Sequence, residues 1–154
     1  MPDYYGGILW SNLMGQSVLS VTSSARSIRA YAHCTAAPTT PGSVTLLLLN
    51  LDPSTATAVS LAGFGGPAAS TRREWHLTGP NGTDATVAAL NGAALRAQID
   101  PATGEVVLPP LDGRVVNVPA GIDVVTVAPG SIAFVQLVAA ESQPGFGTCG
   151  GRVG

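Results

Sequence analysis

The sequence contains no lysine, and charged residues of every kind occupy only 10% of its 154 positions. The seven basic residues are all arginines, and the formal net charge is −2. Proteins that bind nucleic acid or anionic membranes rely on a dense positive surface, which this composition does not supply. We therefore expect neither nucleic acid nor an anionic membrane surface as a partner.

Cysteine is scarce as well. Cys34 and Cys149 are the only two, and neither has a neighbour at the spacing of a zinc ribbon or a C-x-x-C motif. This excludes both kinds of site. The two residues stand at the borders of a block of strand-like sequence, so their positions predict a disulfide between its first and last strands. Two unpaired thiols are the alternative, because free cysteine is commonly buried.

No hydrophobic run is long enough to cross a bilayer. The most apolar stretch, residues 44–51, is short and is interrupted by Thr45 and Asn50. The residues after Met1 do not have the pattern of a signal peptide. A disulfide-bonded domain of the exported type needs an export signal, so we expect this sequence to be part of a longer protein.

Hydrophobic periodicity predicts one helix followed by short strands. Apolar side chains recur at helical spacing over residues 3–15, with Asp3 as the expected N-cap and Gly15 just past the end. The period then changes to two, and turn pairs separate the segments. Strands are predicted at residues 18–21, 27–34, 44–51, 57–61, 73–78, 87–90, 95–98, 106–108, 124–127 and 132–138. We expect 57–61 to pair with 44–51. The pattern indicates a mainly β protein, an antiparallel β-sandwich preceded by one α-helix.

The residues that carry chemistry form no catalytic constellation. Glu74, Glu105 and Glu141 are scattered over a strand, a loop and the tail. His33 and His76 have no third metal ligand and no obvious partner carboxylate, so each is expected to be an edge histidine or a hydrogen-bonded core histidine. We therefore predict no catalytic residue, no metal site and no cofactor.

Aromatic residues and one sequon complete the candidate sites. Tyr31, Trp75 and Phe134 have the chemistry of a sugar-stacking platform, but strand aromatics more commonly pack in the core, and we expect these to be packed. The triplet Asn81-Gly82-Thr83 stands in a turn context. Asn81 is therefore a predicted N-glycosylation site if the protein is exported.

The order of short motifs resembles one family. The motifs occur in this order: 2–5 (PDYY), 9–10 (LW), 13–15 (LMG), 18–19 (VL), 29–35 (RAYAHCT), 44–51, 74–78 (EWHLT), 90–92 (LNG), 108–111 (LPPL), 129–135 (PGSIAFV) and Cys149. This series resembles the heparanase-like proteins of glycoside hydrolase family 79, in particular their plant members. The similarity extends over residues 2–149, and no single motif carries it alone.

The resemblance implies a (β/α)₈ catalytic barrel joined to a smaller β-sandwich. Residues 1–16 would be the terminal helix of a barrel that is missing here, 17–149 the sandwich, and 150–154 a flexible tail. The family's disulfide corresponds to Cys34 and Cys149. Its two catalytic glutamates belong to the barrel, and the acid/base follows an asparagine, which no glutamate does in this sequence. The parent activity would be a retaining endo-β-glucuronidase, and the chain would be its structural support.

The resemblance also implies partners and a location. The substrate would be a glycan that contains glucuronic acid, bound through the missing barrel on which this chain packs. The family's sandwich takes a strand from before the barrel, so an unpaired strand edge and an uncovered helix face are expected, and Ile8, Leu9, Leu13 and Met14 should lack a partner. The location would be extracellular or vacuolar-lysosomal, with peripheral membrane association as an option. A secreted carbohydrate-binding module and an inactive truncated gene product are the alternatives.

Overall fold

The computed structural model describes residues 2–37, 42–61, 70–79, 87–119, 123–138 and 149. One helix, α1 (Pro2–Leu13), precedes the strands. The strands are β1 (Met14–Leu19), β2 (Ile28–Thr35), β3 (Val44–Asn50), β4 (Thr57–Ser60), β5 (Ser70–Thr78), β6 (Ala88–Leu90), β7 (Ala93–Leu95), β8 (Gln98–Ile99), β9 (Val106–Val107), β10 (Arg114–Val118), β11 (Val124–Val127) and β12 (Ile132–Leu137).

The strands form one large sheet, one small sheet and one separate hairpin. The large sheet has the order β1-β2-β3-β12-β5-β6-β7, and β10 pairs with β5 beside β6. The small sheet consists of β4 and β11, and β8 pairs with β9. The pairs are antiparallel, which confirms the predicted mainly β fold with one leading helix. The sequence did not predict β10.

The large sheet is covered on both faces. On the face that α1 covers, called the helix face below, Leu47 and Phe134 pack with Tyr5 and Leu9 of the helix. On the opposite face, called the inner face, strand residues such as Leu46 pack with residues of the small sheet. Because side chains alternate along a strand, a strand in the middle of such a sheet must be apolar at nearly every position. The run in β3 meets this requirement.

The helix is shorter than the sequence pattern predicted. It ends at Leu13, and Met14 already begins β1. Asp3 lies in the first helical turn rather than before it. Gly15 is a strand residue rather than the residue that ends the helix. A β-carbon on Gly15 would stand 2.5 Å from the carbonyl oxygen of Cys34, so the close approach of β1 to β2 requires glycine there.

The apolar face of α1 has a partner within the chain, contrary to the expectation from sequence. Leu9 and Met14 are buried, and Ile8 and Leu13 are partly buried against the same cluster. Gly6 lies above the sheet, where its β-carbon would be 3.5 Å from Cδ1 of Ile132. The helix face of the sheet therefore supplies the contact that was expected from another part of the protein.

The predicted pairing of residues 57–61 with 44–51 is wrong. β3 pairs with β2 and β12, and β4 pairs with β11 in the small sheet. The chain changes layer after Asn50 through a turn in which Asp52 Oδ1 accepts the backbone N–H groups of Ser54 and Thr55. The Asn50 amide then donates to the carbonyls of Val127 and Ala128 and joins the two layers.

Candidate functional site

A buried ionic cluster is centred on Glu74 in β5. Its carboxylate accepts hydrogen bonds from Arg72 Nε at 2.6 Å, from His76 Nε2 at 2.8 Å and from Arg114 Nη2 at 3.2 Å. Arg72, Glu74 and His76 alternate along β5, so their side chains share the inner face of the large sheet. Arg114 comes from β10, whose register places it directly opposite Glu74.

Arg72 connects this cluster to the segment that enters the small sheet. Its Nη1 forms an ion pair with Asp123, and its Nη2 donates to the carbonyl of Val124 at 2.7 Å. The Arg72 side chain is 6% exposed and the Glu74 side chain 4%. A buried ion pair is tolerated when each charged group is fully hydrogen-bonded, and this arrangement meets that condition. The cluster therefore joins the two layers.

The environment of Glu74 keeps its carboxylate ionised. Burial raises the pKa of this group, but the hydrogen bonds from His76 and Arg72 and the charges of these residues outweigh it, and the pKa falls from 4.5 to about 2. A general acid needs a pKa near the working pH and access to substrate. Glu74 has neither, so its surroundings are those of a carboxylate that stabilises the fold.

Sequence reasoning missed this cluster, because it treated Glu74 as isolated and His76 as lacking a carboxylate partner. A signal was present in the sequence. Polar residues at 72, 74 and 76 alternate with the apolar pair Trp75 and Leu77, which indicates a polar stripe on one face of a strand. Polar side chains on the buried face of an inner strand need hydrogen-bond partners within the protein.

The two histidines do not form a pair. His33 lies on the helix face, since it is directly opposite Thr45 and next to Leu47 in the register of β3. His76 lies on the inner face with Glu74. The large sheet therefore separates them. Within the residues that the structure describes, no group of three histidine, cysteine or acidic side chains is placed to hold a metal ion.

Cys34 and Cys149 are joined by a disulfide, with their Cα atoms 5.3 Å apart. The bond ties the end of β2 to a residue beyond β12, and Cys149 packs against the inner-face cluster. Asn81, the predicted glycosylation site, lies outside the described residues, as does the tail 150–154.

The aromatic prediction was right for two residues and wrong for one. Trp75 and Phe134 are packed in the core, but Tyr31 is 45% exposed. Register places Tyr31 opposite Leu47 on the helix face. An exposed tyrosine ring therefore lies on the same face of the sheet as α1.

An open groove of about 970 Å³ runs along the inner face. One side of the groove is formed by residues 17–25, which comprise the end of β1 and the segment after it. The other side is formed by residues 58–61, which comprise the end of β4 and Leu61. Its floor contains Ile28, Leu46 and Leu48. Among the described residues β4 pairs with β11 alone, so one edge of β4 has no strand partner beside this groove.

The sequence of the chain is similar to those of plant heparanase-like proteins and of a plant glucuronidase. The chain is 33% identical to heparanase-like protein 3 of Arabidopsis thaliana over 88% of its length, and the match covers 28% of that protein. It is 36% identical to baicalin-β-D-glucuronidase of Scutellaria baicalensis over 65% of its length, or 18% of that protein. The chain thus spans less than a third of these relatives. No protein-family model matches it.

A solved structure shares the fold. A β-porphyranase of glycoside hydrolase family 86 from the human gut bacterium Bacteroides plebeius superposes with a TM-score of 0.50 at 19% identity, over 90% of this chain and 19% of that one. In the part of this chain that is described, no helix is long and apolar enough to span a bilayer. The sequence matches show that the chain belongs to the plant heparanase-like protein family and has a glycosidase origin.

Proposed function

We propose that the chain is the C-terminal β-sandwich part of a heparanase-like endo-β-glucuronidase, a retaining glycoside hydrolase. The observation that carries this proposal is the 33% identity to heparanase-like protein 3, which extends over 88% of this chain but only 28% of that relative. The role of the chain is then structural. It supports a catalytic barrel that contains both catalytic carboxylates, while its own buried carboxylate, Glu74, is held in an ionic cluster.

The proposed domain division places residues 1–16 on the barrel side, 17–149 in the sandwich and 150–154 in a tail, but its first boundary moves to the end of α1 at Leu13, because Met14 already begins β1. The two sides of α1 support this division. Leu9 faces the sheet and is buried, whereas Tyr4, Gly7 and Ser11 recur at helical spacing on the exposed side. A helix shared by two units would use both sides.

The hairpin of β8 and β9 supports contact with a further folded unit. Its apolar side chains are exposed although they are large: Ile99 by 70%, Val106 by 66% and Val107 by 52%. Neither hydrophobic cluster of the described residues includes them. Contiguous exposed apolar side chains commonly mark a protein interface. We assign this hairpin to the contact with the barrel.

The groove beside β4 supports a contribution from another part of the full protein. Its apolar floor and the free edge of β4 have the form of a site for one additional strand, which would gain main-chain hydrogen bonds at that edge. We assign the groove to the strand that the family resemblance places before the barrel.

The proposed substrate is a glycan that contains glucuronic acid, bound by the barrel. The name of the Scutellaria relative, a β-D-glucuronidase, supports a glucuronide. The disulfide between Cys34 and Cys149 supports an oxidising compartment, so we propose an extracellular, vacuolar or lysosomal location with glycosylation at Asn81.

A chimera tests the structural role. In heparanase-like protein 3, the segment that matches this chain is either deleted or replaced by residues 1–154, and the soluble yield and thermal unfolding are measured. We expect deletion to abolish soluble protein, because the barrel loses its support, and replacement to restore it. Equal failure of both proteins would contradict the proposal and favour an inactive gene product.

An activity assay tests the location of the chemistry. Purified 1–154 is incubated with baicalin, and the baicalin-β-D-glucuronidase serves as the active control. We expect no hydrolysis by 1–154 at any pH between about 4 and 8, since the proposed catalytic carboxylates belong to the barrel and Glu74, the buried carboxylate of the described residues, is held in an ionic cluster. Measurable turnover that persists after further purification would show that the active site lies in this chain.

A further inference from the structure

A corner on the helix face, between α1 and β2, contains exposed aromatic side chains, which a purely structural role does not require. The helix crosses this face diagonally. Gly6 lies above Ile132 and Leu77, whereas the indole of Trp10 lies against the imidazole of His33. The part of β2 that precedes His33 therefore stays open beside the helix.

Aromatic rings line this corner. The Trp10 and His33 rings meet edge to face, with centroids 5.1 Å apart and planes at 74°. Tyr31 is two residues from His33, so its side chain is on the same face of β2 and about 7 Å away. Trp10 is 39% exposed and Tyr31 45% exposed. Exposed aromatic rings of this kind offer flat apolar surfaces on which the C–H faces of a sugar ring stack.

Polar groups of two kinds accompany the rings. Nδ1 of His33 is 2.6 Å from the carbonyl oxygen of Gly15, a distance at which it donates a hydrogen bond and fixes the ring. In the neutral ring, Nε2 is then an acceptor for a hydroxyl group. Arg29 precedes Tyr31 by two residues in β2, so its side chain is also on the helix face. Its Nη1 donates to the carbonyl of Arg26 at 2.8 Å.

Two arginines near the corner take part in none of the described ion pairs. Among the described ion pairs, every acidic partner is Glu74 or Asp123, and both lie on the inner side. Neither Arg26 nor Arg29 takes part in these ion pairs, and both are exposed. The remaining N–H groups of Arg29 thus face solvent at one end of the aromatic row. A planar guanidinium in this position matches a carboxylate.

We propose that the corner formed by Trp10, Arg29, Tyr31 and His33 is a non-catalytic binding site for an acidic saccharide. A uronate carboxylate pairs with Arg29, and the neighbouring sugar rings stack on Tyr31 and Trp10. His33 accepts a hydroxyl hydrogen at Nε2. This goes beyond the proposed function, because the site lies where α1 meets β2 and binds the glycan without contributing a catalytic carboxylate.

The corner and the proposed barrel contact use different sides of α1. Tyr4 is six residues before Trp10, which corresponds to about 600° of helical rotation and to directions about 120° apart. Tyr4 is 55% exposed, and its ring meets the ring of Tyr5 edge to face. A unit that packs on the Tyr4 side leaves the corner accessible.

The test is a calorimetric titration of purified 1–154 with a hyaluronan tetrasaccharide, which contains glucuronic acid, and with cellotetraose, a neutral tetrasaccharide. We expect binding of the acidic sugar alone, with a change in tryptophan fluorescence. The change would report Trp10, because Trp75 is buried and its Nε1 donates to the carbonyl of Leu111. No heat and no fluorescence change at millimolar sugar would overturn the proposal, as would equal binding of cellotetraose.

Matched variants locate the site. Arg29→Gln and Tyr31→Ala should each lower the affinity for the acidic sugar about tenfold, since each removes one contact of ordinary strength. Arg96→Gln and Tyr4→Ala, which change an exposed arginine and an exposed tyrosine elsewhere, should leave the affinity unchanged. An equal loss in the control variants would overturn the assignment. Failure of this proposal and failure of the structural role are distinguishable, because the chimera experiment does not depend on sugar binding by the corner.

Discussion

The indole ring of Trp75 lies directly against Gly113. A β-carbon on Gly113 would stand 2.4 Å from Cζ2 of the ring, and Trp75 Nε1 donates to the carbonyl of Leu111 at 2.9 Å. The segment 111–113 therefore closes over the tryptophan at the edge of the core. Glycine is required there by contact with the ring and not by backbone conformation.

Gly113→Ala should lower the free energy of unfolding by about 1–3 kcal/mol, because the added methyl group displaces a packed ring. The measurement is denaturant unfolding of purified 1–154. Gly7→Ala is the control. Gly7 is in α1 with open space around it, so alanine should stabilise the protein by about 0.5–1 kcal/mol. If both variants changed stability in the same direction, the close contact of Trp75 with Gly113 would be contradicted.

Glu74→Gln should be strongly destabilising, by about 3–5 kcal/mol, because it removes the buried negative charge that Arg72, His76 and Arg114 share. Thermal unfolding followed by circular dichroism checks this. Glu105→Gln makes the same chemical change at an exposed residue of the β8–β9 hairpin, and its effect should stay within about 0.5 kcal/mol. Similar effects of the two changes would mean that the buried cluster contributes little.

Acid should weaken the fold in a defined range of pH. The pKa of Glu74 is about 2 in the folded protein, against 4.5 for an ordinary glutamate. The carboxylate therefore contributes stability that is fully present above pH 4.5 and is lost as the pH falls toward 2, on the order of 3 kcal/mol in total. Urea unfolding between pH 2 and 7 measures this, and Glu74→Gln should show a smaller slope below pH 4.5. An unchanged slope would assign the acid sensitivity to other groups.

Loss of the disulfide should lower stability by about 4–5 kcal/mol on the chain-entropy model, because the bond closes a loop with a sequence separation of 115 residues. The comparison is between native protein and the double variant Cys34→Ser, Cys149→Ser in denaturant. In the native protein without reductant, a thiol reagent should modify neither cysteine. Rapid modification of both would show that the bond is not formed.

The sequence was sufficient for features set by local pattern. The most apolar stretch, residues 44–51, contains the strand β3, which is buried on both faces, and the Asn-Gly pair of the motif at 90–92 forms a tight turn with φ of 50° and 86°. The position of β4 depends instead on a change of layer after Asn50, and local pattern contains no information on which layer a strand joins. The strand β10 was missed because polar residues interrupt its short apolar run.

The polar stripe of the buried ionic cluster was visible in the sequence, but its partners and those of the aromatic corner could not be predicted, for a related reason. Arg72 and Asp123 are 51 residues apart, and only the tertiary fold brings them together. Trp10 and His33 belong to different elements, and their contact follows from the diagonal crossing of α1. The side-chain types were visible in the sequence, but which of them meet was decided by long-range packing.

The junction of α1 and β1 has a mechanical consequence. The helix ends at Leu13 and the strand begins at Met14, so no linker residue separates them. The backbone N–H of Ala36 donates to the carbonyl of Leu13 at 3.0 Å, and Nδ1 of His33 donates to the carbonyl of Gly15 at 2.6 Å. Such a junction has no hinge. A domain continuous with α1 would move with the large sheet as one rigid body, and a protease would find no exposed connection to cut between them.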